Sequence, residues 1–178
     1  MDNRVFYFSP GEWEILRYLA HYETMPIQLL LGAAKATPAE LLHLSKDQEM
    51  IDAHRYTTDG PRYAGHITKH DIDRNVLVAT INGFGKDADN RLRPARQVLG
   101  HLANQTTTLG HLTAVVDVTD TTLIDLDQRA LITLRRPTDT DKPNPLPVNT
   151  TYLRRGGTAR TLTTATLTTK GRAYTELW

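Results

Sequence analysis

Arg135, Arg136, Arg154, Arg155, Arg160, Lys170 and Arg172 crowd the last third of the chain, with Gly156 and Gly157 among them. A guanidinium presents a planar fork of N–H donors that matches phosphate oxygens, so this grouping suits a phosphate backbone or a narrow minor groove. Just upstream, Thr121, Thr122 and Gln128, with Arg129 close behind, offer hydroxyl and amide groups of the kind that meet base edges. Asp125, read as outward-facing with them, and Asp127 work against that use near phosphates, although a carboxylate can accept from cytosine N4. The first half has a thinner set. His43 and Lys46 stand with Ala39 and Glu40 on one predicted helix face, and Arg55, Arg62, His66, Lys69, His70 and Arg74 follow. For any one of these residues, solvated polar surface or a merely soluble loop is the plain alternative; the clustering of arginines is what favours a function.

Other chemistries lack their signatures. Asn82–Lys86 has glycine and lysine without the spacing or the following Ser/Thr of a phosphate loop. No GxSxG or HExxH pattern occurs, and with no cysteine there is neither a thiol nucleophile nor a disulfide. His66 and His70 stand four apart, but Ile67 and Thr68 between them read as a strand end, where the two rings would diverge. Asp117, Asp120, Asp125 and Asp127 fall on different helix faces. No catalytic residue, metal site or cofactor is expected.

These side chains need elements to hold them. In Leu109–Arg136, Leu109, Leu112 and Val116 form one apolar helical stripe, and Thr119 or Asp120 can cap a second helix buried through Leu123, Ile124 and Leu126. Ala130–Arg136 then reads as a strand. That order resembles a winged helix-turn-helix of the MarR or PadR kind, and the resemblance extends over residues 93–178: Arg93–Ala103, with Val98, Leu99 and Leu102 inward, resembles the family's first helix, and Thr161–Arg172 (TLTTATLTTKGR) its second wing strand before a last helix, AYTELW. The resemblance implies a DNA-binding helix at 120–128 with a β-hairpin wing beside it.

The same plan recurs earlier. Ser9-Pro10-Gly11-Glu12 spells a capping box with Ile15, Leu16 and Leu19 behind it. A second helix is read from Pro26 to Lys35, and a third from Thr37-Pro38 to about Lys46. ILRYLAH at 15–21 lies on VLGHLAN at 98–104, an offset of 83, and TPAELLHLSKDQEMI at 37–51 lies on TDTTLIDLDQRALIT at 119–133, an offset of 82. GHITKH at 65–70 is matched with ATLTTK at 165–170, an offset of 100, which makes the second wing 18 residues longer. Asn3–Phe8 is a short strand or packing arm. Asp71–Gly85 has helical spacing, ended by Gly83 or Gly85, with a buried strand at Val76–Ile81 as the rival reading. Lys86–Arg93 is the polar boundary between units, and Pro137–Pro147, with four prolines in eleven residues, is the tip of the long wing.

With 39% hydrophobic and 23% charged residues, the 178-residue chain suits one ordinary domain or two small ones. No apolar run approaches the roughly 20 residues that span a bilayer, and Met1–Ser9 lacks a signal peptide's apolar core, so the expectation is a cytoplasmic protein with no membrane partner. The net charge of +1 is no argument for nucleic acid, but the halves differ. Residues 1–87 hold nine Lys/Arg against twelve Asp/Glu, a balance of −3, and residues 88–178 hold twelve against eight, a balance of +4. Any phosphate-binding footprint is therefore expected in the second half.

The expected fold is α+β and mostly helical: tandem winged helix-turn-helix units at 1–87 and 88–178, each of three helices plus a β-hairpin wing. The expected partner is double-stranded DNA, bound sequence-specifically in transcriptional control or in plasmid or phage maintenance. Thr121, Thr122 and Gln128 would enter the major groove, with wing arginines on flanking phosphates and a weaker contribution from His43, Lys46 and Arg62. Two units on one chain can imitate a two-fold dimer, while Tyr174, Leu177 and Trp178 offer a surface for a homodimer. The alternative is a tandem winged-helix protein-interaction adaptor in chromosome or plasmid maintenance, to which acidic recognition helices and near-neutral charge are suited.

Overall fold

The computed structural model describes residues 7–74, 77–139, 145–155 and 157–177. Among the described residues the fold is α+β, 58% helical, with two small antiparallel sheets, and no helix is long and apolar enough to cross a membrane. The chain divides into two compact units at Leu92/Arg93. That division falls inside a helix, so Lys86–Arg93, read from sequence as a polar boundary, is regular structure.

In the first unit the order is α1 (Pro10–Tyr22), β1 (Thr24–Pro26), α2 (Ile27–Ala34), α3 (Pro38–Leu42) running into a π-helical turn at His43–Asp47, β2 (Ile51–Thr57), β3 (Gly60–Gly65), α4 (Lys69–Arg74), β4 (Leu77–Ile81) and the start of α5 (Gly83–Leu102). Two capping boxes set the geometry. Ser9 Oγ accepts from the Glu12 N–H at 3.2 Å while Glu12 accepts from the Ser9 N–H at 2.6 Å, and Thr37 and Glu40 repeat the exchange at 3.3 and 2.7 Å. The boxes dock on one another, because Ser9 Oγ donates to Glu40 at 2.5 Å and His43 Nδ1 pairs with Glu12. A Cβ on Gly11 would lie 2.6 Å from both Glu40 oxygens, so glycine is what allows the close approach. Behind the boxes, Trp13, Ile15, Leu16, Leu19, Ile27, Leu30, Leu41 and Leu44 are fully buried.

The sheet order is β1-β4-β2-β3, all antiparallel, with Thr24 opposite Thr80 and Ile51 opposite Ile81. The rival strand reading of 76–81 is therefore the one realised, over 77–81, and the helical reading is corrected. β4 is covered on both faces, so its apolar run carries no alternation to separate strand from helix. Gly83 and Gly85, read as helix terminators, instead open α5. Asn82 Oδ1 accepts from the Gly85 N–H, and a Cβ on Gly85 would stand 2.5 Å from the Met50 carbonyl oxygen.

The second unit takes the end of α5, then β5 (Thr107–Thr108), α6 (Leu109–Val115), α7 (Asp120–Gln128), β6 (Ile132–Arg135), a 3-10 turn at Pro137–Asp139, α8 (Thr150–Arg155), α9 (Gly157–Leu162), β7 (Thr164–Leu167) and α10 (Thr169–Thr175). Its sheet order, β5-β7-β6, repeats β1-β4-β2, with Thr108 opposite Thr164 and Ile132 opposite Leu167. Thr108, Thr119 and Thr168 cap α6, α7 and α10. Buried Val98, Leu99 and Leu102 stand where Ile15, Leu16 and Leu19 stand in the first unit, and Leu123 and Leu126 where Leu41 and Leu44 do.

Two expectations about the wings need correction. β4, not GHITKH, occupies the place of β7, since each is the strand between the other two. The paired positions Ile51 and Ile81 are 30 residues apart and Ile132 and Leu167 are 35 apart, so the second excursion is longer by five residues rather than 18. Nor is that excursion a hairpin. The chain from β6 to β7 carries α8 and α9, and the last helix starts at Thr169, earlier than AYTELW suggested. Asn3–Phe6, Thr140–Asn144, Gly156 and Trp178 lie outside the described residues.

Candidate nucleic-acid interface

In the first unit the face of α3 and its π-turn borders a groove of about 610 Å³. Ala39, Leu42, His43, Lys46 and Asp47 line it from the helix, and His66, Ile67, Thr68 and Lys69 from the segment joining β3 to α4. Ser45 ties the two sides together. Its buried hydroxyl donates to the Ile51 carbonyl at 2.8 Å and accepts the Ile67 N–H at 2.9 Å, and its carbonyl lies 2.9 Å from His66 Nδ1. A carbonyl can only accept, so Nδ1 carries the proton and Nε2 is the ring nitrogen left to the groove. His43 is held likewise, through Nδ1 to Glu12, with Nε2 3.2 Å from Gln48 Nε2. The carboxyl of Asp71, which could oppose an anion there, accepts from the N–H and hydroxyl of Thr68.

Burial pushes the Glu40 carboxyl up, but hydrogen bonds from Ser9, Thr37 and the Gly11 N–H outweigh it and hold the group below the ordinary carboxylate value. Glu40, counted from sequence on the exposed face, is thus occupied in docking α3 on α1.

The β2–β3 hairpin turns at Thr58-Asp59, with Gly60 at φ 108° and Thr57 Oγ1 donating to the Gly60 carbonyl at 2.9 Å. Arg55 and Arg62 are directly opposed in register and both are exposed. Like charges so placed repel across a strand pair unless an anion lies between or beside them. Asp59 takes Arg62 at 2.8 Å, a pair exposed enough to exchange for another anion. By strand alternation His54, Tyr56 and Tyr63 fall on the other face, and the two tyrosines are 61% and 65% exposed. Sequence reading passed over both tyrosines and placed His66 and Lys69 in a wing strand. The Asp59-Gly60 pair between alternating residues was the hairpin signal to use.

The second unit holds its candidates differently. On α7, Thr121 and Gln128 are exposed, while Thr122 is engaged with the Thr119 hydroxyl at 3.0 Å. Asp125, expected to face outward, is 9% exposed, with Arg129 Nε 3.3 Å from its carboxylate. The chain between β6 and β7 lies against these helices: α8 packs on α7 and α9 on α6, and Arg160 donates to Asp120 at 2.7 Å. Arg136 donates to the Pro147 carbonyl at 2.7 Å and lies 4.2 Å over the Tyr152 ring, and Lys170 donates to the Arg129 carbonyl at 3.0 Å. Arg154, Arg155 and Arg160 thus sit on helices rather than on a returning wing strand. Arg154 and Arg155 are exposed on α8, and Arg135 is exposed at the end of β6. Burial drives the Asp127 carboxyl above its ordinary value, with the Leu134 N–H, 2.8 Å away, opposing the rise.

Among the described residues no three His, Asp or Glu side chains gather as metal ligands. No family model, curated protein or solved structure matches the chain.

Proposed function

We propose that the chain is a pair of winged-helix units that binds double-stranded DNA sequence-specifically, in transcriptional control or in plasmid or phage maintenance, and that the first unit makes the principal contact. The repeated order of helix, strand, helix, helix, strand and strand, with the last strand between the other two, supports the winged-helix reading of both units. The observation that carries the DNA reading is the exposed, opposed pair Arg55 and Arg62 on a hairpin of the same unit whose third helix exposes Ala39 and Lys46. Cations on a wing fix register on phosphates, and a helix supplies groups for base edges. Selection of binders from a random duplex pool tests it. Recovery of a common sequence, bound more weakly by Arg55→Ala/Arg62→Ala, is expected; failure to enrich any duplex sinks the reading.

One observation favours an adaptor role for the second unit. Its third helix has α8 packed on it and is tied to α9 through Asp120, and Arg129, Arg136 and Arg160 are taken up by partners within the unit. A protein partner, rather than a base edge, is then what the remaining surface would meet.

A further inference from the structure

The chain between β2 and β4 brings residues 66–69 against the side of α3, and so adds two basic side chains to a helix that has Lys46 alone as an exposed full cation. We propose that the groove so formed is a seat for one phosphate group, gripped by Lys46 from the π-turn and Lys69 from the opposite wall, with the imidazoles of His43 and His66 beside it. The proposal rests on the DNA reading in one respect only: there the group is a phosphodiester of the duplex backbone.

Charge, shape and pre-organisation support it. Against Lys46 and Lys69 the lining of the groove presents one carboxylate, Asp47; Asp71, turned to the N–H and hydroxyl of Thr68, keeps its charge outside that lining. The volume of about 610 Å³ exceeds what a phosphate fills and leaves room for an attached sugar. Leu42 and Ile67 give that space an apolar floor, which suits deoxyribose. Both imidazoles are fixed before a ligand arrives, His66 by the Ser45 carbonyl and His43 by Glu12, so the ordering cost of binding falls on the two lysines alone.

The test uses the full chain, with inorganic pyrophosphate and a selected duplex as separate probes. Histidine ring resonances are followed by NMR, and duplex affinity is measured over a range of salt. Pyrophosphate is expected to move the His43 and His66 signals in the wild type and not in Lys46→Gln/Lys69→Gln. Lys69→Gln alone should lower the slope of log affinity against log salt by about one, the share of a single phosphate contact, while Arg172→Gln, an equal loss of charge in the second unit, should not. All three variants remove exposed side chains, and unchanged thermal melts establish that they fold. Duplex binding with an unaltered slope in Lys69→Gln and unmoved imidazoles overturns the phosphate seat and leaves the DNA reading standing. Pyrophosphate shifts without duplex binding uphold the seat and overturn the DNA reading. If neither probe binds, both fall.

Discussion

Ser45→Ala removes a single oxygen and should cost more than its size suggests. The hydroxyl is fully buried and serves two backbone groups at once, donating to the Ile51 carbonyl at 2.8 Å and accepting the Ile67 N–H at 2.9 Å. Alanine keeps the packing but leaves both groups without a partner where water does not reach. An orphaned buried polar group costs about 1–3 kcal/mol, so the two together should cost about 2–6 kcal/mol. For a unit of this size, 1 kcal/mol moves the melting temperature by about 4–8 °C, so a fall of about 8 °C or more in the first transition is expected. Thermal melts give the total, and amide hydrogen exchange at Ile67 locates it, since that N–H loses its acceptor. The groove should open with it, because Ser45 joins its two walls, and weaker pyrophosphate binding should accompany the lost stability. A melting temperature within a degree of wild type, with Ile67 still protected, would refute this account of Ser45.

Gly171→Ala should destabilise the second unit by about 1 kcal/mol net in urea denaturation, because overpacking at about 2 kcal/mol, the middle of its usual range, exceeds the roughly 1 kcal/mol of helix propensity that alanine adds. Its Cβ would fall 2.0 Å from the Leu131 carbonyl oxygen, so α10 must retreat, loosening the bond from the Thr168 N–H to that carbonyl; a variant more stable than wild type would contradict this. The lowered folded value of Glu40 means that its contribution is present above the ordinary value of 4.5 and disappears as pH falls through the lower one. The stability gap between wild type and Glu40→Gln should therefore shrink on acidification below pH 4.5, and a gap constant with pH would count against it. Asp127 has the opposite sign: its contribution is present below 3.8 and lost as pH rises through the raised value. Asp127→Asn, which keeps an oxygen for the Leu134 N–H, should raise the melting temperature at pH 7 and lose that advantage near pH 3; destabilisation at pH 7 would contradict the assignment.

Local signals in the sequence identify the helix starts. Ser9, Thr37 and Thr119 each cap the helix expected of them, because a short side-chain oxygen acts within three residues of itself. The buried stripes of α1, α6 and α7 follow from spacing alone. Covered on both faces, β4 has no alternation to read and shares its apolar run with a helical pattern. The second wing misled for a different reason: Arg136, Arg154, Arg155 and Arg160 flank a proline-rich stretch and look like the sides of a loop. What places Arg160 is Asp120, forty residues away, and what packs on α7 is α8, neither of which leaves a local mark. In consequence the charge balance pointed to the second half, while the exposed hairpin with opposed arginines lies in the first.

The most direct test compares the salt dependence of duplex binding for the wild type, Arg55→Ala/Arg62→Ala and Arg154→Ala/Arg155→Ala. With the first unit as the gripping surface, the first double variant should lower the slope of log affinity against log salt by about two, and the second should leave it close to wild type. The reverse order, or a wild-type affinity indifferent to salt, would contradict the account.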